Sequence, residues 1–197
     1  VQGPAAAKAA LRDRLSSARR ALPPSVRAER AQAITRSALT VAAEAGGPIC
    51  AYFPVGVEPG SSDLVDALVG AGHEVLLPVV PAERGPLEWA VYRGPHDLAA
   101  GPLGLREPAG PRRGPAAIGT ARLVLVPGLA ADPHGRRLGR GAGYYDRTLG
   151  FATPGTPLVV VLYDEEVLPE VPAEQHDHAV TGILTPGTGR RWLGNND

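Results

Sequence analysis

The sequence predicts an α/β protein built on an open, mostly parallel sheet with helices on both faces, in three layers. Two observations point there. Short runs of β-forming residues, "PICAYF" (48–53), "RLVLVP" (122–127) and "PLVVVLY" (157–163), are apolar throughout, as in strands buried on both faces. Segments of helical period precede them and lie between them. The chain has 197 residues and no internal repeat, which suits a single domain over 1–197.

The elements follow in order. "AKAALRDRLSSARRAL" (7–22) places Leu11, Leu15, Ala18 and Leu22 at helical spacing, with Lys8, Arg12 and Arg19 around them. "PPS" ends this helix, and Ser25 is the expected cap of a second one running through Val26, Ile34 and Val41 to Gly46. "PICAYF" is the first strand. "SSDLVDALVGAG" (61–72) opens with serine caps and an early aspartate and closes in glycine, so it reads as a short helix. "HEVLLPVV" (73–80) and "LEWAVY" (87–92) read as strands. Residues 93–120 are rich in Gly and Pro and read as ordered loop. "RLVLVP" is a buried parallel strand, "AGYYDRTL" (142–149) a short helix, and "PLVVVLY" and "AVTGILT" (179–185) the last strands.

Composition excludes several classes. Formal net charge is +0, so no nucleic-acid or anionic-membrane partner is expected, and any anion site is a local patch. No apolar run approaches the roughly 20 residues that cross a bilayer. The first residues carry charge where a signal peptide needs an apolar block. The single cysteine, Cys50, suits a reducing compartment, and a cytoplasmic monomer is expected. The twenty basic residues comprise nineteen arginines and one lysine, Lys8. A lone lysine draws attention to a place where a compact ammonium is needed and a planar guanidinium will not serve.

The densest chemistry is "RRLGRGAGYYDR" (136–147). Gly139, Gly141 and Gly143 alternate with Arg140 and Ala142. The pattern is neither of the common nucleotide-binding glycine motifs, but the physics is shared. Glycines let backbone N–H groups converge on phosphate oxygens. A helix starting near Gly141 would aim its unpaired N–H groups at the same anion. Arg137 and Arg140 can add bidentate contacts. Asp146 belongs in an anion site only if a cation accompanies it, and Mg²⁺ takes both carboxylate and phosphate oxygens. The loop follows "RLVLVP", and ligands of open parallel sheets sit beyond the carboxyl ends of strands. The bland alternative is a glycine-rich turn with solvated arginines.

"LVPGLAADPHGRRLGRGAGYYDRTL" (125–149) resembles the signature of the 5-formyltetrahydrofolate cyclo-ligase (5,10-methenyltetrahydrofolate synthetase) family. The match keeps Pro127, Gly128, Asp132, Gly135, Arg137, Leu138, Gly139, Arg140, Gly141, Gly143, Tyr144, Tyr145 and Asp146. "KAALR" (8–12), Glu58, "LGLREP" (103–108) and "VPAEQHDHAVTGILT" (171–185) resemble outlying family segments in the same order. The resemblance implies a single open α/β domain of Rossmann-like layering. It implies conversion of 5-formyltetrahydrofolate and MgATP to 5,10-methenyltetrahydrofolate, ADP and phosphate. By carry-over, Lys8 and Arg12, with Arg137, Leu138, Gly139, Arg140, Gly141, Ala142, Gly143, Tyr144 and Tyr145, would hold ATP. Phe53 and Glu58, with Arg140, Gly143 and Tyr144, would face the folate. Asp146 and Asp177 would hold Mg²⁺, and Arg140 and Tyr144 would position and stabilise charge during the reaction.

Other residues carry weaker signals. "HDH" (176–178) reads as solvated histidines around a functional Asp177, Cys50 as inert core, Trp89 and Tyr92 as core ahead of a pterin-stacking wall, and Arg112-Arg113 as a solvated pair. Three departures from the family pattern stand out. Ala131 replaces an aromatic and is expected to loosen the pocket wall. Leu103 replaces a phenylalanine and is expected to widen the folate cleft. Thr181 replaces an aspartate. They leave room for a MgATP-dependent phosphotransferase with another acceptor. An arginine-glycine RNA-binding module is the third reading, opposed by zero net charge and 5% aromatics.

Overall fold

The computed structural model describes residues 4–174 and 177–194. Helices α1 (Pro4–Ala21) and α2 (Pro24–Ala45) lead into strand β1 (Ile49–Cys50), helix α3 (Ser62–Gly70), and strands β2 (Val75–Val79) and β3 (Glu88–Val91). A hairpin of β4 (Leu98–Ala100) and β5 (Arg106–Pro108) follows, then β6 (Leu123–Pro127) and a second hairpin, β7 (Ala130–Ala131) and β8 (Arg137–Leu138). The chain continues through α4 (Tyr144–Thr148), β9 (Leu158–Val161), β10 (Gly182–Thr185) and β11 (Gly189–Trp192). Seven strands form one sheet in the order β11-β10-β9-β6-β1-β2-β3. The five inner strands are parallel, and β3 and β11 close the edges antiparallel.

Side chains of the inner strands alternate between two apolar layers, which is why their sequences are apolar apart from Thr185 at the end of β10. Leu123 and Leu125 join Ile34, Ala38 and Val41 of α2 and Leu64, Val65 and Leu68 of α3 on one face. Val124 and Val126 point the other way, toward Ile118 and Leu149. That second face is covered by the 3₁₀ turns Pro115–Thr120 and Leu149–Phe151 and by short α4, not by long helices. Both faces are covered as expected, but unevenly. Cys50, Trp89 and Tyr92 are buried core, and burial pushes the Cys50 thiol up, as an inert residue requires.

Several local expectations change. Helix α2 starts at Pro24, whose missing N–H suits a first helical position, so Ser25 is not its cap. Ser61 precedes α3 without a side-chain capping bond. The first strand keeps only two ladder residues. Helix α1 turns Lys8, Leu15 and Arg19 inward and leaves Ala18 exposed, so its inner stripe is half charged. It packs Leu15 on Leu129, Ala130, Leu138 and Val171, over the carboxyl-terminal end of the sheet.

Strand order fixes the site. From β1 the chain steps outward to β2 on one side, while β6 lies on the other side. The two strands therefore send their following loops in opposite directions, and a crevice opens between them at their carboxyl ends.

Candidate functional site

A cleft of about 480 Å³ occupies this crevice. The segment after β1 supplies Tyr52, Phe53 and Glu58, and the segment after β6 supplies Arg137 to Asp146. Helix α1 adds Lys8 and Arg12, and the later loop adds Glu174 and Asp177. Every residue expected to bind nucleotide, folate or metal thus lines one cleft. Pro78, Val80 and Leu87, which carried no sequence signal of their own, and Leu105 and Arg106 of the family-like segment 103–108 also line it.

The four arginines of 136–147 divide into different tasks. Arg136 lies outside the cleft lining and pairs with Glu170. Arg137 is buried and donates from Nη2 to Asp146 Oδ1 at 2.7 Å and from Nη1 to the Pro127 carbonyl at 3.1 Å. It therefore joins the end of β6 to the first turn of α4. Arg147 donates to the carbonyls of Gly85 and Ala142, fastening the far end of the loop. Arg140 alone stays largely solvent-exposed, with its side chain 65% accessible.

The glycine-rich loop is gripped from α1, where Arg12 Nε donates to the Gly139 carbonyl at 2.9 Å. Gly141 sits at φ +104, a conformation that L side chains rarely adopt. The expected helix near Gly141 begins later, at Tyr144, and has five residues. It is too short to serve as an anion-binding helix terminus, which leaves the loop backbone and Arg140 as the groups of this segment able to meet an anion.

Lys8 is only 4% exposed. Its ammonium donates to Glu174 Oε2 and Asp177 Oδ2, each at 2.7 Å. Burial pulls its pKa down, but the bonds to Asp177 and Glu174 outweigh this and hold it above the ordinary lysine value. The anionic neighbours of Lys8 are therefore supplied by the protein itself. Asp177 also accepts from the Glu174 backbone N–H. His176 lies outside the described residues.

Glu58 accepts from the Val55 N–H at 3.0 Å and from Arg140 Nη1 at 3.2 Å. Burial raises its pKa, opposed by Val55 and Arg140. Phe53 stands beside Tyr92, ring centroids 6.4 Å apart, and offers a flat apolar wall. Two buried polar atoms of cleft-lining residues lack a partner among the described residues, Tyr145 Oη and Arg137 Nε. Such orphans suit a polar ligand.

Among the described residues no three His, Cys, Asp or Glu side chains cluster as a metal site. Asp146 uses Oδ1 for Arg137, and no described residue donates to its Oδ2. Asp146 lines the cleft, and a carboxylate oxygen with no described donor fits Mg²⁺, which keeps several waters and shares oxygens with a ligand.

Of the three departures, two leave the cleft intact. Ala131 is buried in the apolar layer behind it and does not loosen its wall. Thr181 Oγ1 accepts from the Leu158 N–H at 2.9 Å, clamping β9 outside the cleft. The Leu103 side chain is not among those described. Arg112 and Arg113 pair with Glu88 and Glu74.

A cation-lined cleft at the switch point of an open parallel sheet, with a glycine-rich loop along one side, defines an α/β protein that handles anionic ligands. More particularly, the chain belongs to the 5-formyltetrahydrofolate cyclo-ligase family, whose model matches residues 4–186. A 5-formyltetrahydrofolate cyclo-ligase of Mycolicibacterium smegmatis is 46% identical over 186 residues, covering 92% of this chain and 95% of that protein. The Escherichia coli protein of the same name is 29% identical, covering 88% of this chain and 97% of its own. Among solved structures, a 5,10-methenyltetrahydrofolate synthetase of Aquifex aeolicus superposes with a TM-score of 0.80 at 26% identity, covering 96% of this chain and 94% of that one.

Proposed function

We propose that this chain closes 5-formyltetrahydrofolate to 5,10-methenyltetrahydrofolate, consuming ATP and releasing ADP and phosphate. The chemistry explains the residues. The formyl oxygen on N5 is amide-like and cannot leave as oxide. Transfer of the γ-phosphoryl group to that oxygen breaks the bond to ADP and creates a phosphate leaving group. N10 then attacks the formyl carbon, the C–O bond breaks, and phosphate departs. Phosphoryl transfer asks a protein mainly for positioning and charge neutralisation. Arg140, Arg12 and the backbone of 139–143 meet that need for the nucleotide phosphates, while Phe53, Glu58 and Tyr144 face the pterin. Lys8 reaches the same phosphates with one of its three N–H donors, the others remaining on Glu174 and Asp177. Mg²⁺ would be held by Asp146, with Asp177 close to the Lys8 side, and would neutralise phosphate charge. The protein is read as a cytoplasmic monomer that needs neither nucleic acid nor membrane.

The observation that carries this reading is the convergence of the Arg140 loop, the α1 cations and the Phe53–Glu58 wall on one cleft. It favours the cyclo-ligase over a phosphotransferase with another acceptor, because Ala131 and Thr181 do not line that cleft. Purified protein with MgATP and 5-formyltetrahydrofolate is expected to generate the methenyl chromophore. ATP turnover indifferent to folate would transfer the assignment to the phosphotransferase.

A further inference from the structure

An ion pair joins the β1 and β6 sides of the crevice. Arg140, in the loop after β6, reaches Glu58, in the loop after β1. The partners differ sharply in exposure, at 65% for the Arg140 side chain and 10% for that of Glu58. Arg140 sits between Gly139 and Gly141, on the most adaptable backbone of the cleft. Glu58 is fixed by its own turn, since its second oxygen accepts from Val55 N–H three residues back. A planar guanidinium offered phosphate oxygens exchanges a single long carboxylate contact for two parallel ones. Arriving nucleotide phosphate therefore takes Arg140 from Glu58, and the carboxylate stays behind in the cleft.

We propose that Glu58 is the base that takes the proton from N10 as the ring closes, and that nucleotide phosphate readies it by drawing Arg140 away. The proposal rests on the cyclo-ligase reading and adds a proton path to it. When N10 attacks, its lone pair forms the new C–N bond, and the nitrogen carries a positive charge with its hydrogen still attached. The Glu58 carboxylate accepts that proton, and the N–H electrons return to nitrogen. The C–O bond then breaks toward phosphate, which leaves with the bonding pair. The product keeps the delocalised positive charge over N5, carbon and N10, and Glu58 returns its proton to water after release.

The surroundings of Glu58 agree with this role. Facing it are Arg140 from the glycine-rich loop, Arg19 from α1, Tyr145 from α4, and Tyr52 from its own segment. Both tyrosines are pushed up by burial and by Glu58, so neither competes as a base near neutrality. Burial already raises Glu58, and Arg140 is among the groups that oppose the rise. Removing Arg140 leaves a carboxylate with greater proton affinity at the moment when a proton must be taken, which moves it toward the range of an effective base.

The test compares wild type with Glu58→Gln, which keeps an oxygen for the Val55 N–H and cannot take a proton. Binding of a non-hydrolysable Mg-bound ATP analogue is measured by calorimetry in buffers of different ionisation enthalpy at about pH 6, within the range to which enzymes tune glutamates. Wild type is expected to take up protons on binding, and Glu58→Gln to lose that uptake. In turnover, kcat of Glu58→Gln falls by about 10²-fold or more, while the dissociation constant for 5-formyltetrahydrofolate moves only a few-fold. Equal proton uptake in the two proteins, or a kcat within a few-fold of wild type, overturns the proposal while leaving the cyclo-ligase reading in place. Failure of wild type to form the methenyl chromophore overturns that reading and this proposal with it.

Discussion

Replacing Arg19 by methionine probes how α1 is fastened over the site. The Arg19 guanidinium is buried and gives hydrogen bonds to Glu166 Oε1 at 2.6 Å, Glu166 Oε2 at 2.7 Å and the Gly128 carbonyl at 2.6 Å. Glu166 also accepts from the Tyr163 N–H at 2.8 Å. Methionine keeps much of the aliphatic stem but strands a buried carboxylate and a buried carbonyl. Breaking a buried ion pair from one side costs about 3–5 kcal/mol. The unpaired Gly128 oxygen adds about 1 kcal/mol, giving roughly 4–6 kcal/mol. Domains are stable by only about 5–15 kcal/mol, so this is a large share. With a urea slope of about 2 kcal/mol/M, the unfolding midpoint falls by about 2–3 M. The double variant Arg19→Met/Glu166→Leu removes both charges and is expected to be no worse than Arg19→Met alone. A loss below about 1 kcal/mol for the single variant, or a double variant that loses the sum of both singles, refutes this reasoning.

Three other outcomes are expected. Glu58 has a raised folded-state pKa, so its contribution is fully present below its unfolded value and is lost as pH rises through the folded one. Glu58→Gln should therefore raise the melting temperature at neutral pH, with the difference vanishing toward about pH 4; a gain that grows on acidification contradicts the sign. A β-carbon on Gly135, at φ +80, would lie 2.4 Å from the Val180 carbonyl oxygen. Gly135→Ala is expected to cost more than about 2 kcal/mol in urea unfolding, and a neutral result would show that the 132–136 turn yields easily. Lys8, buried and held by two carboxylates, should be acylated many times more slowly in the native protein than in urea, as read by peptide mass mapping. Equal rates would mean that the ion pairs do not persist in solution.

The layers of the fold were legible because each inner strand faces two apolar layers and so shows an unbroken apolar run. Strand β11, "GRRW", was not legible, since an antiparallel edge strand tolerates charge and its partner β10 supplies the pairing. The two small hairpins were hidden for a similar reason, being two or three residues long. In the cleft, Arg140 and its glycines could be read from local spacing and from family resemblance. The fates of Arg137 and Lys8 could not. Whether a cation meets a ligand or a carboxylate depends on what lies across the fold, and the Lys8 partners stand 166 and 169 residues away. Arg19 sits seven residues after Arg12 and shares its helical face. That spacing was a signal for its inward turn, masked by the assumption that an arginine faces water.

These long spans bear on how the protein comes into being on a ribosome. Synthesis delivers α1 first, yet three of its basic side chains find their partners only later. Arg12 needs Gly139, Arg19 needs Glu166, and Lys8 needs Glu174 and Asp177. Until residue 139 has left the exit tunnel, the charged stripe of α1 has none of these partners to hold, and the set is complete only once residue 177 is free. Closing contacts over such separations is slow, because the entropy of drawing the chain together comes before any reward. The central strands can pair while translation continues, but the cleft is assembled last, by the meeting of early and late segments. A ligand of this cleft therefore cannot chaperone the early nascent chain, and ligand rescue of a folding-impaired variant is confined to molecules whose residues up to 177 are already free.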